Sequence, residues 1–131
     1  MLDHTGISVA DLNRSKIFYT KALAPLSIDL VVELTAEQTG GAAHAGFGAA
    51  GKPFFWIGDG STRSGPVHFA FTAQSRAEVD AFYRAALAAG GNDNGAPGLR
   101  PHYHASYYGA FVLDPDGNNI EAVCHSRSEN R

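Results

Sequence analysis

The stretch Asp114-Pro-Asp-Gly-Asn-Asn-Ile-Glu121-Ala-Val-Cys-His125 decides how this chain is read. Asp-Pro-Asp-Gly-Asn is a turn signal: Pro115 presets φ, Gly117 tolerates a positive φ, and the Asp and Asn side chains bond nearby backbone. Apolar runs flank it, Gly109 to Leu113 before and Ile120 to Cys124 after, so the whole reads as a hairpin. If Ile120, Ala122 and Cys124 face a core, Glu121 points with Val123 to the opposite face. An ionised carboxylate on an apolar strand is costly unless a cation meets it. An arginine, open water or a metal ion would each answer that cost.

Working outward, the chain repeats itself. Thr5, Ile7 and Val9 alternate with His4, Gly6 and Ser8, as in a half-buried strand. Asp11 can cap a helix from Leu12, whose apolar face is Ser15, Phe18, Tyr19, Ala22 and Leu23 and which Pro25 ends. Further on, Val67, Phe69 and Phe71 alternate with His68, Ala70 and Thr72. Ser75-Arg-Ala-Glu78 is a capping box, Val79, Phe82, Tyr83, Ala86 and Leu87 form a second helical face, and Gly90-Gly91 ends it. An offset of 64 carries His4, Phe18, Tyr19, Ala22 and Leu23 onto His68, Phe82, Tyr83, Ala86 and Leu87. Identities at one offset with one structural role each point to an internal duplication.

Three strands are expected after each helix. In the first half they are Ile28 to Leu34, a stretch around His44 to Phe47, and Phe54 to Ile57. In the second they are a stretch near Leu99 to His104, then Tyr108 to Leu113, then Asn119 to Cys124. The expectation is an α+β fold of two paired βαβββ modules forming a curved, cup-like mixed sheet with its helices on the convex side. Residues 1–131 form one domain, with module one at about 1–58 and module two at about 66–125, joined by the short, flexible segment Gly58 to Gly65.

The 131 residues suffice for one domain with its own core. Hydrophobic residues make up 44% and charged residues 18%, a globular balance, and the net charge of −3 gives no basic footprint for nucleic acid. No apolar run approaches a membrane span and no signal peptide opens the chain. The lone cysteine, Cys124, excludes an internal disulfide and fits a cytoplasmic setting.

In this frame His4 and His68 occupy equivalent places on the first strand of each half, on the face away from the helix, and Glu121 lies on the corresponding face of the last strand. Either histidine alone would read as a core imidazole bonded to a carbonyl. Two imidazoles and a carboxylate on one concave face form a site for a divalent first-row metal with open positions. Arg100-Pro-His102-Tyr103-His104-Ala-Ser-Tyr107-Tyr108 lies between the second helix and the hairpin and reads either as a substrate wall or as a packing loop. His102, His104 and Tyr107 are its candidates for moving protons, and Arg100 and Tyr103 its candidates for contacting substrate. Arg14, Arg63 and Arg84 are further cations that could meet an anion. His125 sits on the Glu121 face, near the end of the ordered chain.

The His-x-Gly opening, the Asp11-Leu12 helix start, Phe18-Tyr19, Val67-His68-Phe69 and Asp-Pro-Asp-Gly-Asn-Asn-Ile-Glu121 together resemble the vicinal oxygen chelate superfamily. That group includes glyoxalase I, extradiol dioxygenases, fosfomycin-resistance enzymes and bleomycin-binding proteins. The resemblance runs from His4 to His125. It implies paired βαβββ modules and places His4, His68 and Glu121 on three metal-ligand positions, for an ion that could be Fe, Mn, Zn, Ni or Co. The fourth position falls in Phe54-Phe55-Trp56-Ile57, where Trp56 cannot ligate and instead becomes a substrate-wall residue. That departure argues against true glyoxalase I activity. The expected function is a metal-dependent glyoxalase- or dioxygenase-like enzyme chelating vicinal oxygens of a small molecule. The alternative is a metal-free binder of the bleomycin-resistance kind. For a chain of this length the resemblance also implies a homodimer, with His4 from one chain meeting His68 and Glu121 of its partner.

Overall fold

The computed structural model describes residues 2–60 and 65–126. Residues 61–64 of the segment joining the modules, Arg63 among them, lie outside the described residues. The first module runs β1 (Thr5–Ser8), α1 (Leu12–Leu23), a 3-10 turn (Ala24–Leu26), β2 (Asp29–Leu34), α2 (Ala36–Thr39), β3 (His44–Ala49) and β4 (Lys52–Gly58). The second runs β5 (His68–Thr72), α3 (Arg76–Ala88), β6 (Asn92–Leu99), β7 (Tyr108–Leu113) and β8 (Asn119–Cys124). Each module is βαβββ and makes its own four-stranded sheet, ordered β1-β4-β3-β2 and β5-β8-β7-β6. In each, the first strand pairs parallel with the last and the remaining pairs are antiparallel. A parallel pair needs a long crossover, which the helix supplies. The fold is therefore α+β, with two open mixed sheets.

Both long helices start where their caps require. The Asp11 carboxylate accepts the Arg14 N–H at 3.1 Å, and Ser15, Phe18, Tyr19, Ala22 and Leu23 are all fully buried. The Ser75 hydroxyl accepts the Glu78 N–H at 3.2 Å, while Glu78 reaches the N–H of Gln74 rather than that of Ser75. Val79, Phe82 and Ala86 are fully buried, with Tyr83 and Leu87 packed at the margin. Pro25 lies within the 3-10 turn that follows α1. Short α2 is an addition to the expected elements, and its Thr35-Ala-Glu-Gln38 capping box closes in both directions.

One strand lies elsewhere than the composition suggests. The stretch expected near Leu99 to His104 is strand only up to Leu99, and β6 covers Asn92–Leu99 instead. Its sequence Asn-Asp-Asn-Gly-Ala-Pro-Gly-Leu shows no alternation because it forms a sheet edge broken by register shifts, where Gly and Pro are tolerated. Gly95, at φ 151°, takes a backbone that a side chain would resist. Residues 100–107 instead form a tight loop: the Tyr103 N–H donates to Arg100 O at 2.9 Å, and the Arg100 N–H to Tyr107 O at 2.8 Å. His102 and His104 therefore share no strand face.

The Asp-Pro-Asp-Gly-Asn turn does more than close a hairpin. Asp114, 2% exposed, accepts the backbone N–H groups of Asp116 and Asn118 and the Asn118 side-chain amide at 2.8–2.9 Å. It also accepts the Tyr19 hydroxyl, from α1 of the other module. Asp116 accepts the Ala10 N–H at 3.2 Å and the Ser15 hydroxyl at 3.4 Å. Asn118 accepts the Val67 N–H at 3.0 Å at the entry to β5. The turn thus ties the second module to the helix start of the first. Apolar packing runs beside it, with Phe55 of β4 edge-on to Phe69 and Phe71 of β5 at 5.5 and 5.3 Å.

Candidate functional site

Register settles which side chains share a face with Glu121. On β5, Ala70 pairs with Glu121 and His68 with Asn119; on β7, Phe111 pairs with Glu121 and Gly109 with Val123. Glu121 is 2% exposed. Among the described residues, His68 Nε2 stands 3.2 Å from Oε1, and the Tyr107 hydroxyl donates to Oε2. Gly109 keeps this contact open, since a β-carbon there would lie 3.3 Å from both Glu121 Oε2 and the Tyr107 ring. Burial, then the hydrogen bond to Glu121 and its negative charge, push the Tyr107 phenol far above its ordinary range. Tyr107 therefore stays protonated and keeps donating.

The His68 ring is polarised by its other nitrogen. Nδ1 lies 2.9 Å from the Asn119 carbonyl oxygen, which only accepts, so Nδ1 carries the proton. In the neutral ring Nε2 is then a bare lone pair, and it faces a carboxylate oxygen at 3.2 Å. Two lone pairs so placed call for a cation between them or a second proton on the imidazole. Two neighbouring ligands each about 2.1 Å from one ion sit at this spacing for an angle of about 100°. A backbone carbonyl holding Nδ1–H is also the usual partner of a metal-ligating histidine. The donor set fits a divalent ion.

Around this pair the 100–107 loop and the chain end supply a wall. Phe111 stacks on His68, with centroids 6.3 Å apart and planes 26° apart, and the Arg100 guanidinium lies 5.4 Å from the same Phe111 ring. Tyr103 packs edge-on to Tyr107 at 4.8 Å. His104 Nε2 faces His125 Nδ1 at 2.7 Å, and both rings contact Tyr107. Because His104 Nδ1 accepts the Ser106 N–H at 3.0 Å, His104 Nε2 carries the proton and donates to His125. His102 is exposed and touches the Tyr103 ring at 4.3 Å, with no bond toward Glu121. His125 lies on the Glu121 face as expected, and Phe111 is a member of this wall that sequence reasoning did not assign. The Phe111 signal is its place opposite Glu121 across the Asp114–Asn118 hairpin turn.

The first module presents the matching face. Gly6 pairs with Trp56 as Ala70 pairs with Glu121, so Trp56 holds the place in module one that Glu121 holds in module two. Its indole lies over Gly46, where a β-carbon would come within 2.9 Å of Cζ3. His4, His44, Lys52 and Trp56 line one cavity of about 1310 Å³. The His4 Nδ1 bonds Asp3 Oδ2 at 2.7 Å, which leaves Nε2 as the free nitrogen, as in His68. Within one chain His4 does not join His68 and Glu121: among the described residues, no three His, Cys, Asp or Glu side chains gather closely enough to hold a metal. Trp56 is the sole tryptophan, so its fluorescence should report this face. Titration with Co²⁺, which quenches nearby indoles, should reduce its emission in step with binding measured by equilibrium dialysis. Unchanged emission at saturation would place Trp56 away from the ion.

Known proteins bear out this arrangement of modules. The sequence profile of the glyoxalase/bleomycin resistance protein/dioxygenase superfamily matches residues 1–122. Among solved structures, a glyoxalase/bleomycin resistance protein from Albidiferax ferrireducens T118 is 30% identical with a TM-score of 0.76, over 95% of this chain and 98% of that one. Lactoylglutathione lyase from Agrobacterium tumefaciens is 20% identical with a TM-score of 0.67, over 95% and 92%. Glyoxalase I from Zea mays is 23% identical with a TM-score of 0.69, over 93% of this chain but 43% of that one. The last two likenesses concern the fold alone. No curated protein matches the sequence. With its paired βαβββ modules and a profile match across nearly its whole length, the chain belongs to the glyoxalase/bleomycin resistance protein/dioxygenase superfamily.

Proposed function

We propose that the chain is a metal-dependent enzyme that binds two neighbouring oxygens of a small substrate at a divalent ion held by His68 and Glu121, completed by His4 of a second copy. The observation that carries this reading is His68 Nε2 facing the buried Glu121 carboxylate at 3.2 Å with Nδ1 already bonded to Asn119. When bound, a divalent ion supplies Lewis-acid stabilisation of negative charge developing on the chelated oxygens. The His/carboxylate set suits Fe, Mn, Zn, Ni or Co.

The chain's own residues divide the remaining work. Tyr107 donates to Glu121 Oε2 and so turns Oε1 toward His68. The His104–His125 pair, in which His104 Nε2 donates to His125 Nδ1, stands beside Tyr107 and can relay a proton. His102, at the loop's outer side, is a second proton donor from solvent. Trp56, Tyr103 and Arg100 form the substrate wall. With a tryptophan at the place equivalent to Glu121, the reaction is of the lyase, isomerase or dioxygenase kind rather than that of true glyoxalase I. Buried, unpaired Cys124 suits a reducing setting such as the cytoplasm.

The site is completed by dimerisation. His4 lies on module one with its Nδ1 bonded to Asp3, and the other two ligands lie on module two with His68 Nε2 beside Glu121. A twofold dimer sets each first module against its partner's second module and makes two identical sites. The test is complementation. His4→Ala and Glu121→Ala chains each lose metal as homodimers. Mixed under exchange conditions, a heterodimer has one doubly damaged site and one intact site, so metal content by elemental analysis should partly return. Metal that stays lost in the mixture, or a monomer in light scattering, would end the shared-site reading.

A further inference from the structure

We infer that the ligand of this site carries a negatively charged group, a carboxylate or its like, a few bonds from its chelating oxygens, and that Arg100 receives it. The inference rests on the metal-site reading above and adds the ligand's charge.

Arg14 faces Asp116, Lys16 faces Glu33 and Lys52 faces Asp3. Arg100, like Lys21, Arg76 and Arg84, shows no carboxylate partner among the described residues, and of these it is the one in contact with the Phe111 ring beside His68. Its Nη1 donates to Gly98 O at 2.9 Å and its Nη2 to Ala96 O at 2.8 Å, and its guanidinium rests on the Phe111 ring. Half buried, it is held in one place with its charge unneutralised. Two backbone carbonyls use two of its five N–H donors and none of its charge. A partly desolvated guanidinium without a counter-ion is costly, and an incoming anion removes that cost.

Its position makes that anion part of the same ligand. Phe111 touches the His68 ring on one contact and the Arg100 guanidinium on another, and it pairs with Glu121 across the sheet. Arg100 also acts electrostatically on Tyr107, the residue that holds Glu121. One aromatic ring thus touches both the His68 ring and the guanidinium. A ligand whose oxygens sit at the His68/Glu121 pair has the guanidinium next to it on the far side of the shared Phe111 contact. The fork of Arg100 matches a carboxylate in geometry.

The test compares catechol with 3,4-dihydroxybenzoate, which share their vicinal oxygens and differ in one carboxylate. Calorimetry on metal-containing wild type should show at least a tenfold preference for the carboxylate. Arg100→Gln keeps an amide for the β6 carbonyls but loses the charge, and should bring the two affinities within about twofold. Arg100→Lys should fall between. Metal content, measured on every sample, separates the two readings. Protein without metal would overturn the metal site itself. Metal-replete wild type with equal affinities, or with neither compound bound, would overturn the anion inference alone. So would an Arg100→Gln chain that melts earlier yet keeps its preference, since Arg100 would then only brace β6.

Discussion

Glu121→Gln should leave the chain folded and nearly empty of metal. Glutamine keeps the shape of the side chain and can still accept from Tyr107, so β8 loses a charge and not a contact. The cation loses its only anionic protein ligand on that module. Loss of a group that merely orients a ligand lowers metal affinity about 10- to 100-fold, so loss of the carboxylate itself should exceed about 100-fold. Wild type purified without a histidine tag should hold about one ion per chain, and Glu121→Gln a small fraction of that by the same elemental analysis. Thermal stability without metal should rise rather than fall in the variant, because a carboxylate 2% exposed, facing an imidazole lone pair, no longer has to be buried. A variant that retains its metal would show that the ion is held elsewhere.

The second large effect is on stability. Asp114→Ala removes one buried carboxylate that accepts from Tyr19, Asp116 and twice from Asn118. Each donor left unmet costs about 1–3 kcal/mol where it is buried. With partial rescue by water at the turn, the loss should be roughly 3–5 kcal/mol. A drop in melting temperature of more than about 10 °C is expected. Tyr19→Phe withdraws only one of those donors and should cost about 1 kcal/mol. The Tyr19 phenol is raised well above its ordinary range by burial first and then by Asp114, so the fold favours its protonated form. That contribution is fully present below about pH 10 and is lost as pH climbs through the raised value. Tyr19→Phe should therefore lose less stability than wild type in alkaline melts. Equal losses for Asp114→Ala and Tyr19→Phe would mean the turn is held by its backbone alone.

Much of the fold is written locally. The stripe of Ser15, Phe18, Tyr19, Ala22 and Leu23 and its echo at Val79, Phe82 and Ala86 follow a 3.6-residue period, and a helix buries whatever that period brings to one side. The fixed offset between His4 and His68 exposes the repeat, and Pro115 and Gly117 mark the hairpin. Alternation also assigns the face of Glu121. β6 escaped because an edge strand with bulges needs neither alternation nor an apolar face, so Asn92 to Leu99 carries no pattern to read.

Contacts between distant segments belong to the tertiary structure alone. Local rules put Glu121 on a face but leave its partner open among arginine, water and metal. Parallel pairing of β5 with β8 and the fold-back of the 100–107 loop bring His68 and Tyr107 to it. The same loop separates His102 from His104 and carries His104 to His125. Asp114 and Asp116 read as residues of a local turn, yet they also bond Ala10 and the α1 residues Ser15 and Tyr19, about a hundred residues away in sequence. Periodicity fixes direction relative to an element's own axis. Which element lies in that direction depends on how the modules pack, and no local pattern carries that information.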